Sequence, residues 1–212
     1  MSTLTIMKAR IADELARSDL TSHIAYAISD AIKAYESERW FFAETRDMTI
    51  TTVAQQEFYD SDDTAALANL LKIDYLTLYI GDQPYTILPM RPAEIEHAAT
   101  NGTSYGSPSW YCWYNNQLRF YPIPDDVYTI RVAGAVKVAE PATDGEANNP
   151  WMTTAERLIR SRAKMELALH VLKDAELAGV MGQAVTEAFD QLKDRTNQIT
   201  QVGDGRIVPM MF

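Results

Sequence analysis

The sequence predicts an α+β fold: a helical bundle of two N-terminal and two C-terminal helices carrying an inserted small antiparallel β domain. Three observations predict it. Apolar residues recur at helical spacing near both ends of the 212-residue chain. Between them, short runs rich in aromatic and β-branched residues alternate with turn residues, the signature of strands. The charge is also uneven. Residues 47–150 hold 5 basic and 14 acidic groups, against 6 and 7 in residues 1–46 and 8 of each in residues 151–212. The expected divisions are N-terminal helices at 1–46, an inserted β domain with one short helix at 47–149, C-terminal helices at 150–200 and an extended tail at 201–212.

Composition bounds the function. A hydrophobic share of 47% allows a substantial core, and 23% charged residues is ordinary for a folded protein. No apolar run approaches the roughly 20 residues that span a bilayer, so no membrane role is expected. Met1-Ser2-Thr3-Leu4 lacks a basic stretch followed by an apolar one, so intracellular synthesis is expected. The single cysteine, Cys112, excludes an internal disulfide and a cysteine-rich zinc site. The net charge of −10 is concentrated in the middle segment, which should repel a phosphate backbone. That acidity reads either as a solvated face that favours solubility or as a surface past which nucleic acid moves without sticking.

Residues 3–17 read as a first helix, with Leu4, Met7, Ile11 and Leu15 on one face, interrupted at Ser18-Asp19. A second helix is expected from about 21 to 42, with Ile24, Ile28, Ile32 and Tyr35 as its apolar stripe. It ends in Trp40-Phe41-Phe42, rings expected to bury against the following sheet or to anchor a partner. Asp47 to Val53 alternates like a strand, and Gln55 to Tyr59 is expected to pair with it. Leu70 to Ile80 is the longest strand candidate; Gly81-Asp82-Gln83-Pro84 turns the chain into a short strand at 85–88. Arg91 to Ala99 reads as a short helix with Pro92 in its first turn and Asn101-Gly102 as its stop. Residues 105–138 read as three strands. Asn115-Asn116 closes a hairpin by accepting positive φ, and Pro122 and Pro124 end a strand by removing two donors. Glu140 to Asn149 is a loop. Pro150-Trp151 opens a helix expected to reach about Ala178, broken at Gly179 and Gly182, and a last helix is expected from about 183 to 199. Arg162 interrupts the apolar stripe of the penultimate helix and needs a carboxylate or carbonyl partner there. Residues 201–206 are polar, and Ile207-Val208-Pro209-Met210-Met211-Phe212 forms an apolar terminus. That terminus either folds back on its own core or docks into another subunit or partner.

The residues point away from catalysis. His23, His97 and His170 fall in three separate expected helices, none with a second ligand at metal spacing. Neither a nucleophile elbow nor a P-loop nor a dinucleotide fingerprint occurs, so no cofactor and no metal is expected. The Asp60-Ser61-Asp62-Asp63 loop lacks the ligand order of a calcium loop. Asp125-Asp126 is a carboxylate pair of the type a glycosidase uses, and with Trp110 and Trp113 it frames a less favoured reading as a carbohydrate-binding or glycan-hydrolysing domain. Arg157, Arg160 and Lys164 share one side of a helix, where they suit phosphate or, in better accord with the acidic middle segment, an acidic face on a neighbouring subunit.

In its order of elements the chain resembles bacteriophage head-to-tail connector adaptors, as in the tail tubular A proteins of T7-like phages and the tail accessory factor of P22-like phages. Two helices ending in Glu38-Arg39-Trp40-Phe41 carry that resemblance. So do Gly106-Ser107-Pro108 before an aromatic strand, Leu118-Arg119-Phe120-Tyr121-Pro122-Ile123-Pro124 with Tyr128-Thr129-Ile130, and Pro150-Trp151 before a helix holding Leu167-Ala168-Leu169. It spans roughly residues 4–200, with Leu67 to Ala99 divergent. It implies a non-enzymatic structural protein of the virion, at the head–tail interface and made in the host cytoplasm. The implied assembly is a ring, typically a dodecamer, under the portal protein, bound to itself and to the next tail or nozzle component. DNA leaves through its channel without specific binding. The resemblance also implies that Ile207 to Phe212 docks into the portal. Another neck or tail-completion protein of the virion is the nearest alternative.

Overall fold

The structure, a computed structural model, describes residues 2–201 apart from 101 and 103. Among the described residues it is a mixed α and β molecule with six α-helices and a curled sheet of seven strands. The chain divides into two compact units, one from the described residues of Met1–Phe42 and Val138–Phe212, the other from Ala43–Lys137.

The first unit is helical. Helix α1 (Leu4–Glu14) starts where Thr3 Oγ1 accepts from Ile6 N, so a side chain satisfies one of the free first-turn donors. Its buried residues are Met7 and Ile11, two of the four forecast by spacing. Helix α2 (Thr21–Tyr35) buries Ile24, Ala27, Ile28, Ala31 and Ile32. It stops seven residues before the expected end. A helix continued through Trp40, Phe41 and Phe42 would fan three rings around its axis at about 100° each. Ending it at Tyr35 instead lets Trp40 bury completely and donate from Nε1 to Tyr35 O at 3.1 Å, a helix-end carbonyl that also accepts from Glu38 N. The ring contacts of these residues lie on helices. Trp40 meets Phe189 edge-on at 5.6 Å, and Phe42 meets Trp151 edge-on at 5.4 Å, both within the helical unit.

The C-terminal helices also differ from expectation. Asn149 caps α4 (Pro150–Thr153) through its side chain, which accepts from Trp151 N, with proline in the first turn. Helix α5 (Glu156–Leu167) then runs into one π-helical turn, Ala168–Leu172. Lys173, in the left-handed region at φ 54°, ends that segment, and the carboxylate of Asp174 accepts from Leu177 N to open α6 (Ala175–Gln201). The break therefore falls at Lys173-Asp174 and not at the two glycines, which lie inside α6. Gly182 faces α5 without being required there: a Cβ built on it would lie 3.8 Å from Met165 Sδ, an ordinary contact. Helix α5 packs against α1, α2 and α6. Residues 138–149 are tied to these helices: Thr5 N donates to Asp144 O, Ser29 Oγ to Glu140, and Trp151 Nε1 to Val138 O.

The second unit is the sheet. Its strands are β1 (Glu44–Thr51), β2 (Phe58–Tyr59), β3 (Leu70–Ile80), β4 (Gln83–Pro89), β5 (Trp110–Tyr114), β6 (Gln117–Tyr121) and β7 (Thr129–Val136), in the spatial order β1-β7-β3-β4-β5-β6-β2. One pairing corrects the antiparallel expectation: β4 and β5 run parallel. Helix α3 (Pro92–Thr100) lies in the crossover between them, and parallel neighbours require such a long connection. A second correction concerns β2, which pairs with β6 and not with β1. Asn115 and Asn116 take φ values of 54° and 57° and close the β5–β6 hairpin as expected of them. The core of this unit is formed by Ile50, Leu76, Leu78, Ile87, Ile130 and Val132, joined by Tyr59, Tyr111, Leu118 and Phe120.

Candidate functional site

On the helical unit the three basic residues expected at a subunit contact, Arg157, Arg160 and Lys164, lie on α5. Each has an internal partner. Arg157 reaches Gln191 at 2.9 Å and Glu187 at 3.1 Å on α6. Arg160 and Lys164 both bind the carboxylate of Glu14 at the end of α1, Lys164 at 2.6 Å. Burial alone would raise the Glu14 carboxyl, but the Lys164 hydrogen bond and the charges of Lys164, Arg160 and Arg10 hold it below its ordinary value. Arg157 stays half exposed, so of the three it alone offers much charge to a second molecule. Arg162 finds its carboxylate one turn along, at Glu166, 2.6 Å away, and Glu166 also lies 3.2 Å from His170.

On the β unit the glycan reading meets an unfavourable geometry. Trp110 and Trp113 lie three residues apart on β5, an odd spacing that sends them to opposite faces. Trp110 tilts against Tyr121, while Trp113 packs on the core. The paired carboxylates serve the turn before β7. Asp125 accepts from Tyr128 Oη at 2.7 Å, and that hydrogen bond pushes the phenol up to about 12. Asp126 Oδ1 accepts from Val127 N. In the 60–63 loop Asp60 and Asp63 likewise bind backbone N–H groups, and among the described residues no group of three or more His, Cys, Asp or Glu is placed to hold a metal. Cys112 is buried, which pushes its thiol up, opposed by the nearby Arg119.

Two features escaped the sequence reading because they are assembled from separate segments. One is a node at Arg119: its guanidinium binds Glu57 and Glu96, each at 2.6 Å, and lies over the Phe58 ring, pinning β2 and α3 to β6. The other is a pair of surfaces at the two ends of β3. At its start, an open groove of about 590 Å³ is lined by Lys72, Ile73, Met90, Arg91 and Trp113. At its end, Ile80 is 41% exposed, and Val53 and Val127 on neighbouring loops are 53% and 63% exposed.

Charged groups here hold segments together and exposed apolar groups face outward, the arrangement of a structural protein that works through partners. A family model matches residues 2–208, nearly the whole chain, and its class is that of phage structural adaptors, not of enzymes. The chain belongs to the SU10 adaptor protein family. No curated protein matches it. As a phage adaptor it is a component of the virion and interacts with other capsid or tail components. Among the described residues no helix is long and apolar enough to cross a membrane. The tail residues Ile207 to Phe212 lie outside the described residues.

Proposed function

We propose that the protein is a head-to-tail connector that forms a homo-oligomeric ring beneath the portal. In this reading it joins the DNA-filled head to the tail and lines the DNA exit channel. The helical bundle with residues 207–212 would bind the portal, and the inserted β unit would meet the next tail component. Membership of the adaptor family carries the reading. Charge supports it: residues 43–137 hold 12 carboxylates against 6 Lys and Arg, so a channel wall built from them would hold DNA weakly.

The test of portal binding is co-sedimentation of the full chain with the portal of the same virus, beside a chain lacking residues 203–212. The full chain is expected to sediment with the portal. The shortened chain is expected to bind at least about tenfold more weakly while melting at the same temperature. Equal binding by both chains removes the tail from the mechanism, and no binding by the full chain removes the portal as partner.

A further inference from the structure

We propose that copies of this chain meet head to tail through residues 43–137, the end of the sheet carrying Val53, Ile80 and Val127 in one copy seating in the groove beside Lys72 and Arg91 of the next. The proposal deepens the ring reading above and rests on it.

The groove's floor is apolar, from Ile73, Met90 and Trp113, and its rim carries Lys72 and Arg91. The unit has twice as many carboxylates as cations, yet among the described residues neither of these two has an ion-pair partner. Glu94, the carboxylate that shares the lining, is turned to the start of α3, where it accepts from Arg91 N at 3.1 Å. The groove thus asks for an apolar segment flanked by carboxylates. Its volume suits a few side chains and not a whole helix.

The far end of the sheet matches that description. Thr51, Thr129 and Tyr79 stand in one row across β1, β7 and β3, so the loops beyond them project from the same end. Those loops are bound to one another: Gln55 N donates to Pro124 O, and Thr52 Oγ1 to Asp126 O. Val53, Ile80 and Val127 are exposed there, and the same loops carry Asp82, Asp125 and Asp126, with no Lys or Arg in residues 52–56, 80–83 or 122–128. Asp125 and Asp126 each engage internally through one oxygen, Oδ1.

Placement selects a second copy as the occupant. Groove and tip lie at opposite ends of one strand, separated by the run from Ile73 to Ile80, roughly 23 Å at the usual strand rise. Two complementary patches at opposite ends of one unit make a heterologous contact, which repeats from copy to copy and closes into a ring when the rotation allows. The same contact lowers the cost of assembling a chain of charge −10, because each junction sets carboxylates against cations.

The experiment is a charge swap. One chain carries Lys72→Glu and Arg91→Glu; a second carries Asp125→Lys and Asp126→Lys. Ring formation on the portal is scored by electron microscopy for wild type, for each variant and for their equimolar mixture, with thermal melts to monitor folding. Each variant alone is expected to form at least about tenfold fewer rings. The mixture is expected to regain them, because an alternating ring restores opposite charges at every junction. Undiminished rings from either variant, or no recovery in the mixture, overturn the proposed surface while leaving the ring reading standing; the groove then serves another component. A wild-type chain that forms no ring overturns both.

Discussion

At the residue scale, the molecule is held by a few charged and aromatic side chains whose roles are set by what they touch. Glu14 joins α1 to α5 by accepting from Arg160 and Lys164 together. Its Glu14→Gln variant is expected to lose about 1 kcal/mol in urea denaturation near neutral pH, since the pair of charge-assisted bonds is partly open to solvent. The sign of the pH dependence follows from the lowered folded value. The stabilisation is complete above the ordinary value of 4.5 and disappears as pH falls through the folded one, so wild type and variant are expected to converge only in acid. A gap that persists unchanged to pH 2 would contradict the assignment. Trp151 is fully buried against Phe42, and Trp151→Ala is expected to cost about 3–5 kcal/mol in the same measurement. Much of this scale was legible in the sequence. Asn115-Asn116 and Pro150 act locally, and local chemistry is what a sequence displays. Identifying Glu14 as the partner of residues about 150 positions away required the fold.

At the element scale, helix and strand positions were largely legible and their ends and partners were not. The stripes Ile24-Ile28-Ile32 and the run Leu70–Ile80 follow from periodicity. The end of α2 did not, because it is decided by where Trp40 can bury. The break after α5 fell at a lysine and not at the glycines, because tertiary packing outweighs propensity. The parallel β4–β5 pair follows from a 20-residue crossover whose path no local pattern encodes. Gly134 shows how tight the register is. β3 bulges between Leu70 and Lys72 where it pairs with β7, and a Cβ on Gly134 would lie 2.0 Å from Lys72 O. Gly134→Ala is expected to cost about 3 kcal/mol or more, since backbone and not a flexible side chain must give way. A melting temperature equal to wild type would show that the bulge relaxes freely.

At the scale of the whole molecule, the class was legible from element order and the particular surfaces were not. The order of helices, strands and the Pro150-Trp151 helix start pointed to a phage adaptor, and the family match places the chain among the SU10 adaptor proteins. The expected basic contact on α5 is largely engaged within the chain, whereas the groove and the tip draw on loops distant in sequence. Because the proposed junction pairs carboxylates with Lys72 and Arg91 at an exposed rim, self-association is expected to weaken as salt rises from about 0.05 to 0.5 M, which sedimentation velocity would record. The proposed function stands or falls on whether this chain builds a ring on the portal. The most direct measurement is to mix the purified protein with the portal of the same virus and image the particles by negative-stain electron microscopy. A thicker, stacked ring with the new layer on one end of the portal is expected. Bare portals beside free monomers would contradict it.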